Sequence, residues 1–155
     1  MMPEFKIKRF NELSLPELYQ VLQLRSEVFV VEQNCVYQDI DGKDDKALHL
    51  LGAFDGKIVA YTRLFAPGYY FDNASIGRVV ISPLYRDRKW GHDLIKASIE
   101  GIKENFGTGN ITISAQLYLK RFYESHGFVQ DGEEYLEDDI PHIRMHMISA
   151  LPSEI

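Results

Sequence analysis

The stretch from Ile76 to Ala115 constrains this chain more than any other. Ile76-Gly77-Arg78-Val79-Val80-Ile81 is apolar and β-branched, and it leads through Ser82-Pro83 into a short basic loop, Tyr85-Arg86-Asp87-Arg88-Lys89. The loop opens onto Gly91–Phe106, where Leu94, Ile95, Ser98 and Ile102 recur at helical spacing until Gly107 ends the pattern. Ile111-Thr112-Ile113-Ser114-Ala115 then reads as a short β-branched strand. A strand, a helix and a strand in succession argue for a parallel pair, because parallel neighbours need a crossover between them.

The start of that helix is also a candidate site. The first N–H groups of a helix lack partners and its dipole is positive at that end, so phosphate binds there. Arg86, Arg88 and Lys89 add side-chain charge, and Gly91 lets a ligand approach the backbone closely. The pattern is neither a Walker phosphate loop nor a dinucleotide-binding glycine fingerprint. By itself it fits a solvated basic helix start equally well.

The flanking segments complete an alternating order, β-α-β-β-β-α-β-α-β-β. Phe5 and Ile7 alternate with Lys6 and Lys8 in an opening strand. Ser14-Leu15-Pro16-Glu17 has the form of a capping box, and Leu15, Leu18, Leu22 and Phe29, widened by Val21 and Val28, predict a helix to about Val30 or Val31. A polar segment, Gln33 to Lys46, follows. Leu48–Phe54 and Lys57–Phe65 read as strands joined by Asp55-Gly56, a pair suited to the two positive φ angles of a tight hairpin. A turn region, Pro67–Asn73, precedes a central strand over Ala74–Ser82. Leu119, Phe122 and Tyr123 mark a third helix closed by Gly127, and Phe128–Tyr135 and His142–Ile148 read as strands. The fold class is therefore α/β (α+β): a mixed sheet flanked by helices.

Composition narrows the function. The 155 residues suit a single domain spanning 1–155. Asp and Glu number 23 against 17 Lys and Arg, a net charge of -6, where a nucleic-acid binder would carry a basic surplus. No apolar run suits a bilayer, the first residues lack a signal-peptide pattern, and a single cysteine, Cys35, allows no intrachain disulfide, so the expected compartment is the cytoplasm. The histidines and Cys35 form no metal-ligand spacing, so no metal is expected, and nothing around Cys35 suggests a thiol nucleophile. An acidic chain that binds an anion must concentrate its positive charge locally, as the Arg86–Lys89 loop does.

Two segments carry a family resemblance. Arg86-Asp87-Arg88-Lys89-Trp90-Gly91 resembles the pyrophosphate-gripping loop of the GNAT superfamily of acetyl-CoA-dependent N-acyltransferases, with Lys89 in place of the first glycine. Phe122-Tyr123-Glu124-Ser125-His126-Gly127-Phe128 resembles that family's later segment. Leu24–Gln33, Asp41–Asp44, Gly77-Arg78-Val79, Ala115-Gln116, Gly132–Asp138 and Ile140–Ile143 are similar to its ElaA-like subgroup. The resemblance implies a sheet in which two neighbouring parallel strands splay apart and CoA lies between them. It implies that Arg86, Asp87, Arg88, Lys89, Trp90, Gly91 and His92 hold the pyrophosphate. It also implies that Val79, Val80 and Ile81 pair with the pantetheine amides as a strand edge would, with Gln116 opposite.

Acyl transfer to an amine needs a neutral amine, a polarised carbonyl and a protonated leaving thiolate. By resemblance Tyr123 is the acid at the CoA sulfur; otherwise it is a core aromatic. The Ile81 N–H can polarise the thioester oxygen. His142 suits the general base, with Glu32, His49 and Glu137 as alternatives and a structural histidine as the plain reading. Glu32, Gln33, Arg78 and His142 are candidate substrate contacts; Arg78 either projects into the cleft or pairs with a carboxylate, with Glu32, Asp39 and Asp41 available, and all of them read equally as a polar network that fixes the long loop. His126 and His146 read as structural or exposed, and His92 admits that role as well. Asp39–Asp45 and Asp131–Asp139 either attract a cationic amine or form a solvated acidic face. Tyr69, Tyr70 and Phe71 mark an interface or a substrate wall. The reading is an acetyl-CoA-dependent N-acetyltransferase acting by direct attack of a primary amine, monomeric or homodimeric. The alternative is a non-catalytic acyl-CoA-binding sensor or interaction module.

Overall fold

The computed structural model describes residues 1–148; positions 149–155 of the expected 1–155 domain lie outside the described residues. The strands are β1 (Glu4–Arg9), β2 (Leu48–Phe54), β3 (Lys57–Phe65), β4 (Ala74–Ile81), β5 (Ile111–Gln116), β6 (Val129–Gln130), β7 (Tyr135–Glu137) and β8 (Ile140–Met147). The α-helices are α1 (Leu15–Arg25), α2 (Trp90–Phe106) and α3 (Lys120–Glu124). The strands form one 8-stranded sheet in the order β1-β2-β3-β4-β5-β8-β6, with β7 also paired to β8. Among the described residues only β4 and β5 run parallel; the other pairs are antiparallel. The parallel pair is the one that the α2 crossover connects, as the sequence order predicts.

Apolar residues on both faces of β2 and β3 meet a helix on each side. Leu50 and Ala60 pack with Leu94 of α2, and Leu51 and Tyr61 pack with Val21 and Leu24 of α1. The strands buried on both faces therefore read as continuous apolar runs. Helix α2 lies close to the sheet at Gly101, where a Cβ would come 2.4 Å from Ile7 Cδ1. Ser98 on its buried face is satisfied by Thr62 Oγ1 at 2.7 Å and by the Leu94 carbonyl at 2.8 Å.

Local signals fix the boundaries. The Ser14 side chain accepts from the Glu17 N–H at 3.1 Å, and Glu17 accepts from the Ser14 N–H at 2.8 Å, so the capping box forms. Asp55 and Gly56 both take positive φ, 54° and 77°, which closes the β2–β3 hairpin. The first helix departs from expectation in two ways. Leu15 stands exposed, and α1 continues into a π-helical segment, Ser26–Glu32, closed by Gln33 N–H to Val28 O at 3.1 Å and Cys35 N–H to Val30 O at 3.0 Å. The strand expected over Phe128–Tyr135 is broken into β6 and β7, because Gly132 turns the chain at φ 103°.

Candidate functional site

The cleft begins where β4 and β5 part. They pair only at Ala74–Ile111 and Ser75–Thr112, although β4 stays paired with β3 as far as Ile81. Between Gly77 and Val80 the register against β3 slips, and Arg78 takes φ 50°, the geometry of a β-bulge. The bulge bends β4 away from β5. The Ser82 N–H points to β3, donating to Val59 O at 2.7 Å. Successive residues of a strand face opposite edges, so the Ile81 N–H and carbonyl face the open side. The resulting cavity, about 640 Å³, falls in the size range of small-molecule sites.

Val79, Val80, Ile81, Arg86, Lys89, Trp90, Gly91, His92, Gln116 and Tyr123 line this cavity, as do Glu32, Gln33, Arg78 and His142. Asp87 and Arg88 do not. Arg88 lies instead over the Phe54, Tyr85 and Trp90 rings, with centroids 5.3–5.6 Å away, and the three rings contact one another. Lys89 joins the Pro83–Arg88 3-10 turn to α2 with φ 60° and ψ 26°, so a lysine takes the left-handed conformation. No side chain caps α2, which leaves its first N–H groups to a ligand. A Cβ at Gly91 would meet Phe122 at 3.5 Å, an ordinary contact, so the chain's own packing does not require glycine there. Arg86 holds Glu32 through both terminal nitrogens, at 2.8 and 2.5 Å. His92 Nδ1 and His126 Nε2 lie 2.9 Å apart beside Phe122.

Farther in, Tyr123 is buried, and burial pushes its phenol pKa well up, so the ring keeps its proton at neutral pH. Gln33 and Gln116 face each other across the cavity in a long reciprocal amide pair, 3.3 and 3.4 Å. His142 Nδ1 lies 2.7 Å from the Ile140 carbonyl. A carbonyl only accepts, so Nδ1 carries the hydrogen, and in the neutral ring Nε2 keeps its lone pair. Nε2 stands 3.4 Å from Glu137 Oε2, and Ser114 bonds both Glu137 and the Tyr135 hydroxyl. Cys35 donates to the Asp138 carbonyl at 3.4 Å, and burial together with Asp138 and Asp139 raises its thiol pKa, which keeps it from acting as a thiolate.

The acidic loop is neither a solvated face nor a free amine trap, a correction to both sequence readings of Asp39–Asp45. Asp39 and Asp44 are buried against arginines. Arg25, fully buried, donates to Asp39 Oδ2 at 2.9 Å and Asp44 Oδ1 at 2.8 Å. Arg63 bonds Asp44 at 2.9 Å and both oxygens of Asp41 at 2.8 Å. Arg78 lies 2.7 Å from Asp39 Oδ1, so its charge is paired with the loop. His49 donates through Nε2 to the Asp44 carbonyl at 2.8 Å and accepts from Tyr61 at 2.6 Å; burial lowers its pKa and it is no base for the cavity. The sequence reading missed Arg25 and Arg63, although a charged residue inside each apolar pattern is a signal of a buried pair. It gave no role to Ser114 or Tyr135, although Tyr135 falls in the Gly132–Asp138 segment. Tyr70 and Phe71 line the cavity, whereas Tyr69 stacks on Phe65.

No helix among the described residues is long and apolar enough to cross a membrane. Among the same residues, no group of three or more His, Cys, Asp or Glu is placed to hold a metal ion.

Known proteins share this architecture and sequence. Residues 15–149 match the acetyltransferase (GNAT) domain family. The ElaA protein of Escherichia coli K12 is 41% identical over 146 residues, covering 93% of this chain and 95% of that protein. The crystal structure of Escherichia coli ElaA aligns with TM-score 0.84 at 40% identity, over 93% of this chain and 99% of that one. An acyl-CoA N-acyltransferase from Pseudomonas aeruginosa aligns with TM-score 0.87 at 42% identity, over 93% and 99% of the two chains. At that identity over that length the relationship is one of family and not of fold alone: the chain belongs to the GNAT acetyltransferases, among their ElaA-like members, whose chemistry is acyl transfer.

Proposed function

We propose that the protein transfers an acetyl group from acetyl-CoA to a primary amine by direct attack. The observation that carries this reading is the divergence of β4 and β5 after Ser75, which opens a strand edge inside the cavity that Arg86, Lys89, Tyr123 and His142 also line. The residues present fit acetyl-CoA. The uncapped α2 start, Arg86 and Lys89 suit the pyrophosphate, and the exposed β4 edge suits the pantetheine amides. Acetyl-CoA supplies the activated acyl group.

The chain's own residues do the rest. The Ile81 N–H donates to the thioester oxygen as negative charge develops there. His142 takes a proton from the ammonium on Nε2, which leaves the amine neutral for attack. Tyr123 donates its proton to the departing sulfur and recovers one from the nitrogen that has formed the amide. Gln33 and Gln116 orient the reacting groups from the two walls.

Calorimetric titration of acetyl-CoA tests the binding half. Wild type binds and Arg86→Ala binds more weakly; no binding to wild type rejects the reading. Released thiol, followed across n-butylamine, putrescine, spermidine, lysine and an alanine-terminated peptide, tests the chemistry. Turnover above hydrolysis supports it, and Tyr123→Phe then lowers kcat with near-normal acetyl-CoA affinity. Binding without turnover on any amine instead favours an acyl-CoA-binding module, the reading to which Lys89 in the motif glycine's place points.

A further inference from the structure

The loop arginine is held by a carboxylate. Arg86 and Glu32 meet in a bidentate pair at 2.8 and 2.5 Å, and Arg86 Nε faces the Ile81 carbonyl at 3.4 Å. The two residues line the cavity from different elements: Arg86 from the turn before α2, Glu32 from the end of the π-helical segment. A fork-to-fork pair is also how arginine binds phosphate, so the carboxylate and an incoming diphosphate need the same donors. Glu32 takes both terminal nitrogens while Nε faces the Ile81 carbonyl, so a diphosphate that binds those nitrogens displaces the carboxylate.

The segment that holds Glu32 is suited to a change of partner. Its π-helical turn is a local irregularity of the kind found at functional sites. Glu32 itself is about 40% exposed. The next residue, Gln33, reaches Gln116 across the cavity through amide contacts of only 3.3–3.4 Å. A carboxylate released from Arg86 at this place remains beside the cavity, where it meets an amine that arrives as a cation.

We propose that Glu32 changes partner during the reaction cycle. In the free protein it holds Arg86; when the diphosphate of acyl-CoA takes Arg86, Glu32 turns to the ammonium of the acceptor. The diphosphate thereby releases Glu32 to complete the site for a cationic amine. The proposal rests on the acyl-CoA reading above and adds to it an exchange of partner at Glu32 and an ammonium contact.

One substitution gives two effects of opposite sign. Glu32→Gln removes a competitor for Arg86, so CoA binds about threefold to tenfold tighter by calorimetry, the scale of an exposed ion pair plus relief of repulsion. The same variant loses the ammonium contact, so KM for the best acceptor of the amine panel rises by about fivefold or more. Glu27→Gln, an exposed change in the same segment outside the cavity lining, controls for overall charge and leaves both constants unchanged. If wild type binds CoA but Glu32→Gln binds no tighter, the exchange is refuted. Tighter CoA binding with an unchanged acceptor KM refutes it too, as does an equal response to Glu27→Gln. Failure of wild type to bind CoA, or to turn over any amine of the panel, removes the acyl-transfer reading and the proposal with it.

Discussion

Replacing Lys89 with glycine separates the two contributions of this residue, backbone strain and charge. Lys89 sits at φ 60° and ψ 26°, the left-handed region that a side chain disfavours. That conformation costs a non-glycine residue about 1–2 kcal/mol. Glycine removes the cost but gains freedom in the unfolded chain, which takes back about 0.5–1 kcal/mol. The net expectation for Lys89→Gly is stabilisation by about 0.5–1 kcal/mol, a rise in Tm of about 1–4 °C for a chain of this size. Lys89→Ala keeps the strain and removes the same charge, so the difference between the two variants isolates the backbone effect. Thermal and urea unfolding measure it. Acetyl-CoA titration measures the charge, and both variants bind more weakly, by about threefold to tenfold, having lost the same ammonium. The strain argument fails if the glycine variant unfolds at or below the alanine variant. The charge argument fails if affinity is unchanged in both.

Two further predictions concern the arginine–aspartate network. Asp44→Ala removes the shared acceptor of Arg25 Nη1 and Arg63 Nη1, two guanidinium groups almost wholly shielded from water. Arg25 keeps Asp39 and Arg63 keeps Asp41, but each guanidinium loses one charged hydrogen bond, which costs about 1.5–3 kcal/mol apiece, and urea unfolding reads the loss directly. The second prediction is acid sensitivity. Burial alone would raise the Asp41 carboxyl, but hydrogen bonds and charge from Arg63, with help from Lys43 N–H and Arg78, outweigh it and hold the pKa at about 2 against an ordinary 3.8. Asp44 is lowered as well, Arg25 and Arg63 overcoming its burial. A depressed folded pKa adds stability that is complete above the unfolded pKa and is lost as pH falls through the folded one. Stability should therefore decline between about pH 4 and pH 2. Asp41→Asn should flatten that part of the profile, and an unchanged slope would contradict the assignment.

Much of the site could be read from the chain because it is built on local rules. The basic loop before α2, the aromatic segment around Tyr123 and the apolar run through Val79–Ile81 are each contiguous, and each lines the same cavity. What contiguity could not show was which charges are free. Arg88 follows Arg86 by two positions, yet it lies on an aromatic cluster while Arg86 faces the cavity. Asp39, Asp41 and Asp44 look like a solvated run in which Arg78 is an available partner for Asp39 and Asp41; the pairs with Arg25 and Arg63, from a helix and another strand, show only in the fold.

By itself the sequence determined the order of elements, the capped start of α1, the Asp55-Gly56 hairpin and the crossover that makes β4 and β5 parallel. These follow from side-chain periodicity, caps and turn residues, which act within a few positions of one another. Only the tertiary structure decided that β4 bulges at Arg78, that the expected splay of β4 and β5 begins after Ser75, and that Glu32 closes on Arg86. Those outcomes depend on pairing between segments far apart in the chain. A strand's register and a charge's partner are set by whichever distant group satisfies it in the packed state, and no local pattern encodes that choice.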